Sequence, residues 1–440
     1  MRRGWVFSLL TGVGFSTLGS PAGPGSWVEA SILDQQGNFL RAEPLYRQEL
    51  ARLEKVLAPD DPHLAILQSR LARACAALGR YKEADHLHRS SLAILEKAAG
   101  PPNSPLSAVV LNNLAALRFR QSSFAEAESL YRKALGIMET TQGPTGPDVG
   151  RILNNLAAVY EAQHDYAQAE RLYQRSMRIL KEAEAPDQRV LASTLHNLAG
   201  LYRRQSRFLQ AEPLYRRAVA IMEGTLGPEH PDVATGLSNL ARLYSDLGDY
   251  ASAAPLYERS RAIREKALGP EHPDVATALS NLGVLYRRQR HFAQAEVLFH
   301  RSLAIWEKSL GPDQANVATA ANNLAELYLA QGKYPKALPL LRRLVQVSEA
   351  NQGSERPDLG ATLEAVAAVH AANGNYTEAE PLFARRLLLL ERTLGPQHPD
   401  YAASLEKQAS LLRKLKRKAE AAKVEARAQA ILSLYRGGRP

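Results

Sequence analysis

The chain has 440 residues, one cysteine, a formal charge of +10 at pH 7 and a pI near 9.5. One cysteine excludes an internal disulfide, and beyond the first residues no apolar run is long enough to cross a bilayer. The basic balance favours acidic partners of any kind, whether peptide, nucleic acid or anionic lipid, without choosing among them.

The chain opens with Met1-Arg2-Arg3, a mostly apolar stretch from Gly4 to Gly19, and then Ser20-Pro21-Ala22-Gly23-Pro24. This order resembles a secretory signal peptide with cleavage after Ala22. On that reading Met1–Ala22 is removed and the protein is exported, to the periplasm or outside the cell. The alternative is a cytoplasmic chain with a disordered tail, or a membrane contact through an uncleaved anchor. A short helix is expected just past the cut, from Pro24 to Gln36.

An opening helical unit follows in Gly37-Asn38-Phe39-Leu40-Arg41-Ala42-Glu43-Pro44-Leu45-Tyr46. Arg70 and Cys75 belong to the next unit. Cys75 fills the slot that Tyr244 fills later, so it reads as a packed helix contact rather than a reactive thiol. Asn113, Asn155, Asn197, Asn239, Asn281 and Asn323 then recur with a fixed spacing of 42 residues, each followed by Leu and a small residue. Arg70 lies one residue out of step with this row, and the extra residue falls in the loop from Gly100 to Pro105. Ala365 and Lys407 fill the same slot further on. Such a period marks a chain of stacked supersecondary units rather than one globular core.

Within the unit Val233–Ala267, Leu237, Leu240, Ala241, Leu243 and Tyr244 form the stripe of one amphipathic helix. Gly248 interrupts it, and a second helical pattern runs through Ala253, Leu256, Tyr257, Ala262 and Ile263. Leu268-Gly269-Pro270 closes the pair, and His272-Pro273-Asp274-Val275 opens the next, with Pro and Asp suited to a first helical turn. Pro44, Pro213, Pro255, Pro339 and Pro381 sit early in second helices, where a missing N–H does least harm. No segment alternates with a period of two, so the fold class is all-α. Ten helix pairs are expected, in units of about 23–58, 59–100, 101–143, 144–185, 186–227, 228–269, 270–311, 312–353, 354–395 and 396–440. The last unit carries the basic run Arg413 to Lys418, read as part of a solvated cap.

A period of 42 also suits HEAT or armadillo helices and propeller blades. The small and aromatic positions decide: Leu237-x2-Leu240-Ala241-x2-Tyr244 followed by Ala253-x3-Tyr257 follows the tetratricopeptide pattern. The segment LGPEHPDVATALSNLGVLYRRQRHFAQAEVLFHRSLAIWEKSLG, Leu268 to Gly311, closely resembles the repeats of kinesin light chains and related bacterial proteins. The resemblance implies a right-handed superhelix of helix pairs, read as one elongated solenoid. It also implies a groove, lined by the first helix of each pair, that accepts extended peptides. Kinesin light chains accept short acidic peptides containing tryptophan.

On this resemblance the amides of Asn113, Asn155, Asn197, Asn239, Asn281 and Asn323 hold a ligand's main chain, since an amide offers donor and acceptor together. The alternative is that each Asn ties one helix to its neighbour. Arg203, Arg204, Arg242, Arg287 and Arg288 fall on the same side and suit carboxylates, which a guanidinium grips with two bonds. Glu161, Asp246 and Glu326 interrupt that basic lining. The alternative is ordinary solvated charge.

Metal binding is not expected. His230, His272 and His398, with His63 nearby in the frame, recur one per unit, and helix packing separates units by about 8–10 Å, whereas zinc ligands lie about 2 Å from the ion. Loop chemistry at helix starts explains these histidines better. No phosphate-binding loop, nucleophile elbow or His-Glu-x-x-His is present, so neither catalysis nor a cofactor is expected. The leading expectation is a non-enzymatic scaffold that binds an extended acidic segment of another protein. The rivals are an assembly scaffold using convex or end surfaces, nucleic-acid binding, and a true kinesin light chain. Nucleic-acid binding lacks interleaved exposed aromatics, and no heptad coiled coil precedes the repeats.

Overall fold

The computed structural model describes residues 27–35, 37–98, 104–183, 187–310, 315–350 and 357–436. The apolar leader and its expected cleavage point after Ala22 lie outside these residues. The described residues form twenty helices and no strand. In the first half, α1 (Trp27–Gln35) pairs with α2 (Phe39–Leu53), α3 (Pro62–Ala77) with α4 (Tyr81–Lys97), and α5 (Pro105–Arg120) with α6 (Phe124–Gln142). Next, α7 (Pro147–Ala162) pairs with α8 (Tyr166–Glu182), and α9 (Gln188–Arg204) with α10 (Phe208–Leu226). After α11 (Pro231–Asp246) and α12 (Tyr250–Leu268), α13 (Pro273–Arg288) pairs with α14 (Phe292–Leu310) and α15 (Ala315–Ala330) with α16 (Tyr334–Ala350). Finally α17 (Pro357–Ala372) pairs with α18 (Tyr376–Thr393), and α19 (Pro399–Lys414) with α20 (Lys418–Arg436). The all-α expectation of about ten helix pairs holds. The chain forms two compact units, Met1–Leu243 and Tyr244–Pro440, whose boundary falls inside α11.

Side-chain caps start six of the first helices, α3, α5, α9, α11, α13 and α19. Asp61 accepts from the His63 N–H at 2.8 Å, Ser104 from Ser107 at 3.2 Å, and Asp187 from Arg189 at 3.1 Å. The recurring histidines do the same work with a ring nitrogen. Nδ1 of His230, His272 and His398 each accepts from the N–H two residues on, of Asp232, Asp274 and Asp400, at 3.1 Å. A cap of this kind contributes about 1 kcal/mol by satisfying an otherwise orphaned donor.

Between the two helices of a pair, one residue adopts a left-handed conformation. Gly37, Gly79, Gly248, Gly332 and Gly374 supply it in five turns, and Ser122, His164, Ser206, Arg290 and Lys416 in five others. A side chain there costs roughly 1–2 kcal/mol, a strain that packing of the hairpin offsets. Small residues let the helices close. Ala115, Ala157, Ala199 and Ala241 are fully enclosed, and a Cβ on Gly283 would meet Phe299 Cε1 at 2.6 Å. Tyr46, Tyr131, Tyr173 and Phe299 are fully buried opposite these slots. Cys75 is enclosed as well, and burial pushes its thiol up to about 11. Among the described residues no helix is long and apolar enough to cross a membrane.

Candidate interaction face of the first helices

Within each unit, successive first helices touch directly: α3 on α5, α5 on α7 and α7 on α9 in one, α13 on α15 in the other. Successive second helices approach each other less closely. Each stack is therefore tighter on its first-helix side, and that side forms the inner wall.

Four of the six expected asparagines tie this wall together. Asn113 Nδ2 donates to Ser69 Oγ at 3.0 Å, Asn155 Nδ2 to Asn112 Oδ1 at 3.0 Å, and Asn197 Nδ2 to Asn154 Oδ1 at 3.1 Å. The Asn239 amide meets His196 Nε2 at 2.8 Å. In every case the partner is the residue just before the equivalent slot, one hairpin earlier. One amide N–H of each is thus committed to the stack, which is the alternative the sequence left open. Asn113 and Asn155 are buried, whereas Asn197, Asn239, Asn281 and Asn323 are half-buried. His196 also lies edge-on to the Tyr215 ring, with centroids 5.2 Å apart. Burial holds its pKa down, at about 4, so the ring is neutral near pH 7.

The expected arginines divide between the two units. In the second, Arg287 pairs with Glu326 at 2.9 Å. Arg288 donates to the Ser245 carbonyl at 3.0 Å and its Oγ at 3.2 Å, with Asp246 at 3.6 Å. In the first, Arg204 pairs with Glu161, and Arg203 donates to the Tyr215 hydroxyl. The acids that interrupt the basic wall are therefore the partners of its arginines. Arg203, Arg204 and the exposed Arg242 all act electrostatically on the Tyr215 hydroxyl. Burial raises the Tyr215 pKa, and these three guanidiniums oppose that rise. Gly200 sits beside them: a Cβ there would lie 3.4 Å from Tyr215 Oη and 3.9 Å from Arg204 Nη2.

A second row of contacts escaped the sequence reading. Tyr160 donates to Glu128 at 2.9 Å, Tyr202 to Glu170 at 2.9 Å, Tyr286 to Glu258 at 3.1 Å and Tyr328 to Glu296 at 2.9 Å. Each bond joins a first helix to the second helix before it. Cations reinforce the row: Arg207 binds Glu170 at 2.6 Å and stacks 4.2 Å from the Tyr202 ring. Arg207 holds the Glu170 carboxyl below its usual range, while burial and Glu296 push Tyr328 up to about 12. The available signal was a Tyr five residues after most Asn slots. In the last hairpin, Arg413 pairs with Glu425 and Arg417 with Glu420, while Arg417 also reaches Glu380 of α18, so both arginines of the basic run are matched by glutamates.

The tetratricopeptide repeat model matches residues 29–97, 106–182, 190–266, 246–299, 274–350 and 358–433. The nearly identical TPR-like repeats of a Podosopora anserina protein described as a kinesin light chain are 27% identical, covering 48% of this chain and 99% of theirs, with a TM-score of 0.44. BtubC (BKLC) from P. vanneervenii is 25% identical over 53% of this chain and 91% of its own, with a TM-score of 0.45. The apo form of RapI is only 13% identical yet matches 85% of this chain and 99% of its own, with a TM-score of 0.60, a likeness of fold. No curated protein matches this chain.

Proposed function

The chain belongs to the tetratricopeptide repeat family, and from that membership we propose that it is a non-enzymatic scaffold binding an extended acidic segment of another protein along its first-helix wall. The guanidiniums of Arg203, Arg204 and the exposed Arg242, all of which act on the Tyr215 hydroxyl, carry this reading. Guanidiniums held in place by neighbours lose less freedom when they grip a carboxylate. The asparagine ties contribute by fixing the first helices that present them. Nucleic acid is a poorer fit, since the hydroxyls of Tyr160, Tyr202, Tyr286 and Tyr328 are engaged with glutamates, whereas single strands are held on aromatic platforms.

The test is a fluorescence-anisotropy titration with a labelled decaglutamate peptide at low and at physiological salt. Binding that weakens with salt, and at least tenfold more in an Arg203→Glu/Arg287→Glu variant, is the expected result. A wild-type protein that ignores the peptide at low salt would sink the reading. Exposed Val28 and Ile32 on α1, with Leu40 on α2, favour a second reading, assembly through that end. In that case the charge-reversed variant captures its partner as well as the wild type.

A further inference from the structure

The row of rings that reach back to the preceding second helix stops one hairpin short of the last. Tyr160, Tyr202, Tyr244, Tyr286, Tyr328 and then His370 put a ring at this position every 42 residues, and α19 puts Leu412 there. The residue facing the ring from the preceding second helix changes with it. Gln174 donates to the Tyr202 hydroxyl at 3.1 Å, and His300 Nε2 meets the Tyr328 hydroxyl at 3.0 Å, each from 28 residues earlier. Ala384 holds that place ahead of Leu412. Two large side chains are thus cut back at one joint.

A cavity of about 430 Å³ opens at this joint, between α18, α19 and α20. The buried Leu387, Tyr401, Leu405 and Leu412 line it, together with Glu380 and Arg417. The two charged residues are the ones that serve the tyrosines elsewhere. Glu380, Leu412 and Arg417 stand five periods of 42 residues after Glu170, Tyr202 and Arg207, and two periods after Glu296, Tyr328 and Lys333. At those earlier joints the glutamate accepts from the phenol at 2.9 Å. The same glutamate pairs with the cation, Arg207 at 2.6 Å in one case and Lys333 at 3.8 Å in the other. Arg417 likewise pairs with Glu380 at 2.6 Å. Glu170, which takes Tyr202 and Arg207 together, shows that such a pair leaves the carboxylate able to accept from a phenol. The last joint keeps the acceptor and the cation and lacks the ring.

We propose that this cavity receives the side chain of an exposed tyrosine on a partner protein. The incoming ring covers Leu387, Leu405 and Leu412, and its hydroxyl donates to Glu380 beside Arg417, as that of Tyr202 donates to Glu170 beside Arg207. The site goes beyond the acidic-segment reading and does not depend on it, since none of the arginines of the first-helix wall lines the cavity.

The test is an NMR titration of the full chain with N-acetyl-tyrosinamide and N-acetyl-phenylalaninamide. Saturable binding of the tyrosine amide with a Kd on the order of 1 mM is expected, the range open to so small a ligand. The phenylalanine amide, which brings no donor to Glu380, is expected to bind about fivefold more weakly or worse. Leu412→Tyr supplies the ring from within. It is expected to raise Tm more than Leu412→Phe does and to abolish binding of the tyrosine amide, while decaglutamate binding stays unchanged because no charge is altered. A wild-type protein that does not bind the tyrosine amide, or binds both amides equally, refutes the site. So does a Leu412→Tyr variant that binds the tyrosine amide as the wild type does. The decaglutamate titration decides the acidic-segment reading separately.

Discussion

The same joint between successive first helices is closed by two different chemistries at the two ends of the chain. In the first unit, Asn155 donates to Asn112 at 3.0 Å, 43 residues back, and both side chains are buried. Near the end of the second, the slot holds Lys407, which pairs with Glu364, also 43 residues back, with the lysine side chain 54% exposed. Geometry is constant and chemistry is exchangeable, but burial sets what each version contributes. A buried amide deprived of its partner costs about 1–3 kcal/mol, whereas an exposed ion pair contributes about 0–1 kcal/mol.

The sharpest way to probe this contrast is acid. His196 stands where Asn154 and Asn112 stand one and two hairpins earlier, and its Nε2 meets the Asn239 amide. Its pKa falls from 6.5 to about 4 on folding, because burial disfavours the charged ring. The stability it contributes is therefore fully present above pH 6.5 and is lost as pH falls towards 4. Each pH unit in that window removes on the order of 1 kcal/mol. A His196→Asn variant is expected to flatten the fall in urea-melt stability between pH 6.5 and 4 by about 2–3 kcal/mol. Parallel pH profiles for the two proteins would contradict this. Next in size is Asn155→Ala, which strands Asn112 Oδ1 and should cost about 1–3 kcal/mol in urea melts at neutral pH. A loss under about 0.5 kcal/mol would mean that water replaces the tie without penalty. Smallest is Lys407→Ala, expected to cost less than about 1 kcal/mol and to become undetectable in high salt. A salt-independent loss would show the joint to be more enclosed than its exposure indicates.

The hairpin architecture was readable because every pair repeats the same spacing of Leu, Ala and Tyr, and the histidine caps followed from their place before Pro-Asp. The asparagines were readable only as a row. A side chain that returns every 42 residues meets a ligand or the next hairpin with equal regularity, so periodicity alone cannot choose. The residue before the slot held the missing clue, since Ser69, Asn112, Asn154 and His196 are all polar and all serve as partners. The Tyr160–Glu128 type of bond stayed hidden for a related reason. Those tyrosines also belong to the apolar stripe, and the sequence does not say that a ring can pack while its hydroxyl reaches the preceding helix. Arg203 was readable as one basic residue among many.

The asparagine ties carry a consequence for the history of the gene. Removing residues 155–196, one whole period, would join Asn154 to Asn197 and bring Asn197 to face Asn112, amide against amide as before. An in-frame excision or duplication of one period here recreates a joint of the same kind at its seam. Unequal recombination can therefore alter the number of hairpins in this stretch in a single event, without passing through a broken joint.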